Sequence, residues 1–155
     1  MADTYKLKYL KGTRLKVFLA AANRIIPPDE DSMGGGTLAT AALVDLCIDK
    51  LAPDLKKKLL MLFLVIEPLG VFFGGKTFSK ANDKNQDRLL SWMEKNPVGA
   101  LRLGFFGLKS YICMGYYTRE DVWKIIKYDG PIRYKQPYHD KILRGLAQNK
   151  VEIIE

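Results

Sequence analysis

The chain has 155 residues, 48% of them hydrophobic, and a formal charge of +8. That length suits one domain with a sizeable core, and that hydrophobic content excludes an intrinsically disordered chain. The excess of 25 Lys and Arg over 17 Asp and Glu suits nucleic acid, an anionic membrane surface or an acidic protein. The charge is diffuse, with clusters only at Lys6, Lys8, Lys11, Arg14 and Lys16 and at Lys56, Lys57 and Lys58, so a solvated surface is the plainer account.

The first ten residues are polar and basic, with neither the apolar core of a secretory signal nor a twin-arginine pair. The expectation is a cytoplasmic protein, or one peripheral to a membrane, with no signal peptide and no transmembrane segment. Leu15, Phe18, Leu19, Ala22 and Ile26 share one face and predict a helix over 13–26, with Thr13 as its cap. Pro27 and Pro28 end it, because proline lacks an amide donor and clashes with the turn before it. An acid run, Asp29-Glu30-Asp31, leads to Gly34, Gly35 and Gly36. These glycines either keep the loop mobile or let it approach a surface closely. No strand precedes them, so they make a poor phosphate loop.

Thr37 can cap a second helix over 38–51, apolar nearly all round, with Asp45 and Asp49 as its acidic stripe. Pro53 and Asp54 suit the first turn of a third, whose Leu55, Leu59, Leu62 and Ile66 share a face and which Pro68 ends or kinks. The apolar run 59–73 is too short to span a bilayer, which takes about 20 residues, and reads as a buried core helix, with a monotopic membrane contact as the lesser reading. Asn82 or Asp83 opens a fourth helix carrying Leu89, Leu90, Trp92 and Met93. Asn96 and Pro97 serve as cap and first residue of a fifth, reaching Met114. Its Ala100, Gly104 and Gly107 mark either a closely packed neighbour or a kink. Thr118 begins a sixth helix with Val122, Ile125 and Ile126 facing inward, stopped by Tyr128-Asp129-Gly130-Pro131. The expected fold is all-α: a helical domain of five or six helices over 1–131 and an extended C-terminal arm over 132–155, in which 151–154 is the one candidate strand.

Little in the chain resembles a catalytic site. His139, the only histidine, has no serine or cysteine beside it in sequence. Cys47 and Cys113 sit in apolar stretches and read as buried thiols, a disulfide between them staying open. Asp29-Glu30-Asp31 lacks the spacing of a calcium loop, and Glu120-Asp121 suits a first helical turn. The expectation is no catalytic residue, no metal and no cofactor in this chain. The aromatic C-terminal half, with interleaved Arg and Lys, fits protein interfaces better than nucleic-acid stacking.

Two segments together resemble the gluconate 2-dehydrogenase subunit 3 family. One is the Ile25-Ile26-Pro27-Pro28-Asp29 exit with the glycine loop and the 38–51 helix. The other is Tyr116-Tyr117-Thr118-Arg119-Glu120-Asp121-Val122-Trp123, followed by Tyr128-Asp129-Gly130-Pro131. The resemblance covers residues 13–131, about three quarters of the chain. It implies a non-catalytic small subunit that binds, stabilises and helps mature a large subunit of the glucose-methanol-choline oxidoreductase type. That partner would hold FAD and the substrate site, and a haem or iron–sulfur electron-transfer subunit often completes such assemblies. Many members carry a twin-arginine export signal, from which this chain departs. The alternative is an independent basic helical protein that binds nucleic acid or a membrane surface. Candidate interface residues are Pro27, Pro28, Gly34, Gly35, Tyr116, Tyr117, Trp123, Tyr128, Pro131, Tyr134 and Tyr138, the loop and the tail acting as arms that become ordered on the partner.

Overall fold

Threonine and asparagine at helix starts act here through their side-chain oxygens, which satisfy amides that have no partner inside the helix. The computed structural model describes residues 5–130 and 151–152. Thr37 Oγ1 accepts from the Thr40 amide at the start of α2 (Leu38–Asp49), and Asn82 Oδ1 accepts from the Asn85 amide at the start of α4 (Asp83–Glu94). α1 (Thr13–Ile25) starts differently from the expectation: Gly12, at φ 54°, is its cap residue, and Thr13 is already helical. α3 (Pro53–Gly74) opens on Pro53 and runs through Pro68, so the proline does not end it. A short 3-10 turn (Phe78–Lys80) precedes α4. α5 (Gly99–Tyr117) begins after Val98, two residues later than Asn96 and Pro97 imply, with the Val98 amide donating to Asn96 Oδ1. α6 (Glu120–Ile125) starts after Arg119, while the Thr118 hydroxyl turns back to donate to the Met114 carbonyl.

Among the described residues α1 to α5 share one core, and α6 lies on the end of α5. α2 packs on α5, α1 on α3, and α4 against both α3 and α5. Phe18 of α1 meets Phe63 of α3 edge to face at 6.2 Å, and Ile48, Ile66, Leu89, Met93, Leu108 and Ile112 are fully buried around them. Two helical glycines let a neighbouring element pack closely. A Cβ on Gly70 would lie 2.2 Å from the Phe78 amide nitrogen, and one on Gly115 would lie 2.6 Å from Val44 Cγ2. Of the small residues singled out in α5, only Gly104 has a close neighbour, a Cβ there falling 3.0 Å from Leu62 Cδ1; Gly107 faces open space, Ala100 is exposed and the helix is unbroken.

The acidic stripe of α2 has a structural task. Asp45 is fully buried and accepts from the amides of Lys8, Tyr9 and Leu10 and from the Tyr5 hydroxyl, all within 2.9 Å. Asp49 accepts from the Tyr9 hydroxyl at 2.6 Å, and Lys56 lies over the Tyr9 ring. These bonds clamp residues 5–10 onto α2 and bury Leu7 and Leu10. Beside them β1 (Tyr5–Lys6) pairs in parallel with β2 (Val151–Glu152), the only described part of the expected arm.

Two faces depart from the periodicity reading. α3 is not a buried core helix: it buries Leu59, Phe63, Ile66 and Gly70 but exposes Leu55, Met61, Leu64, Val65, Val71 and Phe72. In α6 only Val122 is buried; Ile125 and Ile126 are exposed, because a helix of six residues lying on the end of α5 has room for one inward position.

Candidate partner interface

The chain leaves α1 through Ile26 and then folds back on that helix. The Gly35 amide donates to the Ile26 carbonyl at 2.8 Å, and the Gly36 amide donates to Asn23 Oδ1 at 3.2 Å. Gly34 has φ 73°, and a Cβ there would lie 2.7 Å from the Ile26 carbonyl oxygen and the Pro28 nitrogen. The glycines therefore serve close approach. Between them and the prolines, Asp29 Oδ1 accepts from the amides of Asp31 and Ser32, closing a tight turn. The expectation of a free arm is corrected here: the loop is tied to its own helices. Gly34 and Gly35 are buried, so they support the surface and do not form it, whereas Pro27 and Pro28 are exposed.

The end of α5 reaches this loop from the far side of the sequence. The Tyr116 hydroxyl and Ser32 Oγ are 2.5 Å apart, and Ser32 Oγ also accepts from the Gly34 amide. Tyr116 is only 6% exposed, which makes it a strut and not an interface residue. Three residues on, Arg119 donates from Nη1 to the hydroxyls of Thr37 and Thr40 at 2.7 and 3.0 Å. Its Nε and Nη2 form a two-point pair with Asp121, and its guanidinium lies over the Tyr116 ring. Burial alone would raise the Asp121 carboxyl; the Arg119 hydrogen bond and charge, with the amides of Asp121 and Val122, outweigh it and hold the pKa below 3.8.

Trp123 closes the other side. Its Nε1 donates to the Tyr117 carbonyl, its ring meets Tyr128 edge to face at 5.7 Å, and Gly130 at φ 90° passes against it. It is half-buried, while Tyr117 and Tyr128 are exposed. Met33, Ile125 and Ile126 add exposed apolar surface to the same two segments. The structure thus joins the loop candidates to Tyr116, Tyr117, Trp123 and Tyr128; Pro131, Tyr134 and Tyr138, like His139, lie outside the described residues.

Ser32, Thr40 and Arg119 organise this joint, and periodicity does not single them out. The available signals were the Thr37-x-x-Thr40 and Arg119-x-Asp121 spacings, which place polar groups at two helix starts. Among the described residues no three His, Cys, Asp or Glu side chains form a group able to hold a metal ion. Cys47 and Cys113 are both free, and burial pushes the Cys47 thiol up. No family model, curated protein or solved structure matches the chain.

Proposed function

We propose that this chain is a non-catalytic subunit that binds, stabilises and helps mature a larger catalytic protein. On the family resemblance, that partner is a FAD-dependent dehydrogenase of the glucose-methanol-choline type acting on sugars or alcohols. One observation carries the reading: the two segments on which the resemblance rests converge in space. Ser32 meets Tyr116 and Thr37 meets Arg119, so loop and α6 form one braced unit. Bracing fixes the backbone beneath exposed side chains and lowers the ordering cost of association. Tyr117, Ile126 and Tyr128 are the anchors of that surface, with Met33, Pro27 and Pro28 beside them. FAD would stay with the partner, as would any haem or iron–sulfur relay in a third chain.

The test is co-purification of the tagged full chain from its native cells, followed by absorbance of the complex. A co-eluting chain of several hundred residues with a flavin spectrum is expected. A Tyr117→Ala, Ile126→Ala double variant should keep its helical circular dichroism and bind that flavoprotein at least about 30-fold more weakly, the size of a hot-spot loss. Absence of any flavin-bearing partner, or a double variant that binds as tightly as the parent, would overturn the assignment.

A further inference from the structure

We propose that the outer face of α3, α4 and α5 is a docking surface for an anionic lipid bilayer, separate from the loop–α6 joint. On α3, Met61, Val65, Pro68 and Phe72 recur at three- and four-residue spacing opposite the buried face, and all are exposed. Phe72 is 84% exposed, and on α5 Leu103 and Phe106 are 71% and 68% exposed. The two helices are in contact, Gly104 of α5 lying against Leu62 of α3. α4 continues the surface: Trp92 packs edge-on against Phe73 at 5.7 Å, and both line an open cleft with Pro97.

Charge decides the occupant. The cleft is flanked by exposed Lys84, Arg88 and Lys95, and Asp87 at its edge accepts from Nε and Nη2 of Arg24. Asp83 also pairs with Arg24, and Glu94 falls at the same helical spacing, so the acids of α4 gather on the edge toward α1. α5 contains no acid at all and adds exposed Arg102 and Lys109. On α3, Asp54 stands in the first turn ahead of Lys57 and Lys58, and Glu67 is occupied by the amide and hydroxyl of Ser79. An apolar face with aromatic side chains and a cationic rim is the pattern of a segment that lies in the headgroup layer. Basic side chains there gain from the negative surface potential of the leaflet. A second copy of this face would bring the same cations together, and like charges opposed across a contact are unfavourable. No described helix is long and apolar enough to cross a membrane, so the contact is peripheral.

Flotation of the full chain with phosphatidylcholine vesicles, with and without an equimolar share of phosphatidylglycerol, tests this. Binding to the anionic vesicles should exceed binding to the neutral ones by at least about tenfold and weaken as salt rises. A Phe72→Ser, Phe106→Ser variant and a Lys84→Gln, Arg88→Gln, Lys95→Gln variant should each lose most of it. All these positions are exposed, and unchanged circular dichroism would confirm folding. Brominated lipid should quench a tryptophan emission that disappears in Trp92→Phe. Equal binding to both vesicle types, no binding, a cleft or phenylalanine variant that binds as the parent does, or a dimer that buries Phe72 and Phe106 would overturn the proposal.

Discussion

Arg119 donates a 2.7 Å hydrogen bond to the hydroxyl of Thr37, the residue that caps α2, from 82 positions further along the chain. A side chain only 10% exposed thus ties the first loop to the last described helix, with Asp121 balancing its charge.

Replacing Arg119 with alanine leaves the Thr37 and Thr40 hydroxyls and the Asp121 carboxylate without their shared donor. The expected loss is about 2–3 kcal/mol, since hydrogen bonds to charged groups are worth more than neutral ones. Arg119→Lys should recover only part of it, because an ammonium cannot make the two-point contact. Urea unfolding of both variants measures this. The depressed Asp121 pKa adds a pH signature: its contribution is present above about pH 3.8 and fades as pH falls through the lower folded value. Asp121→Asn should flatten that part of the acid limb.

Asp45→Ala should be more damaging. It leaves three amides and the Tyr5 hydroxyl without their acceptor beneath a buried segment. We expect a loss of about 3 kcal/mol or more, with rapid hydrogen exchange at Lys8, Tyr9 and Leu10. If those amides stay protected, Asp45 is not the clamp.

Tyr5 gives a test at alkaline pH. Burial, then the neighbouring Asp45 charge and hydrogen bond, raise its hydroxyl far above the usual 10.0. Ionisation in the unfolded chain above about pH 10 then draws the equilibrium toward unfolding, so the stabilisation present below that pH declines as pH rises. Tyr5→Phe should lose about 1 kcal/mol near neutral pH and show a flatter alkaline limb.

The glycines separate by what a methyl group would meet. Gly107→Ala should stabilise by about 0.5–1 kcal/mol, since its Cβ enters open space and alanine is the better helix former. Gly70→Ala should destabilise by more than about 2 kcal/mol, because the new methyl would press on the Phe78 backbone, which cannot swing aside as a side chain can. Thermal melts of the two variants should move in opposite directions.

The loop itself should resist proteolysis in the isolated protein between Ser32 and Gly36, where its amides are held by Ile26, Asn23 and Ser32. Ser32→Ala and Tyr116→Phe should each open it to cleavage, and their combination should be less than additive, with a coupling of about 1 kcal/mol. Rapid cutting of the parent at these residues would restore the free-arm picture.

Helix number, the cap at Thr37 and a fourth helix opening at Asn82 or Asp83 were legible from residue spacing, because they depend on neighbours within one or two turns, whereas the caps expected at Thr13 and Asn96 fall instead on Gly12 and Val98. The all-α class was legible too. Orientation was not. Ile125 and Ile126 look inward on a helical wheel, yet six residues on the end of α5 leave them exposed. Phe72 belongs to the apolar run that reads as a buried core helix, yet it is exposed, while Phe18, Phe63 and Phe78 fill the core. Glycine meaning was not legible either: Gly104 and Gly107 stood out by pattern, whereas Gly70 and Gly115 matter because another element crosses them. The joint of Ser32, Thr37, Tyr116 and Arg119 depends on which helices pack together, and α2 against α5 brings it about. Local sequence determines where helices begin and end, since those hydrogen bonds close within a turn. Burial, close approach and the pairing of distant polar groups depend on neighbours across the fold, and only tertiary packing supplies them.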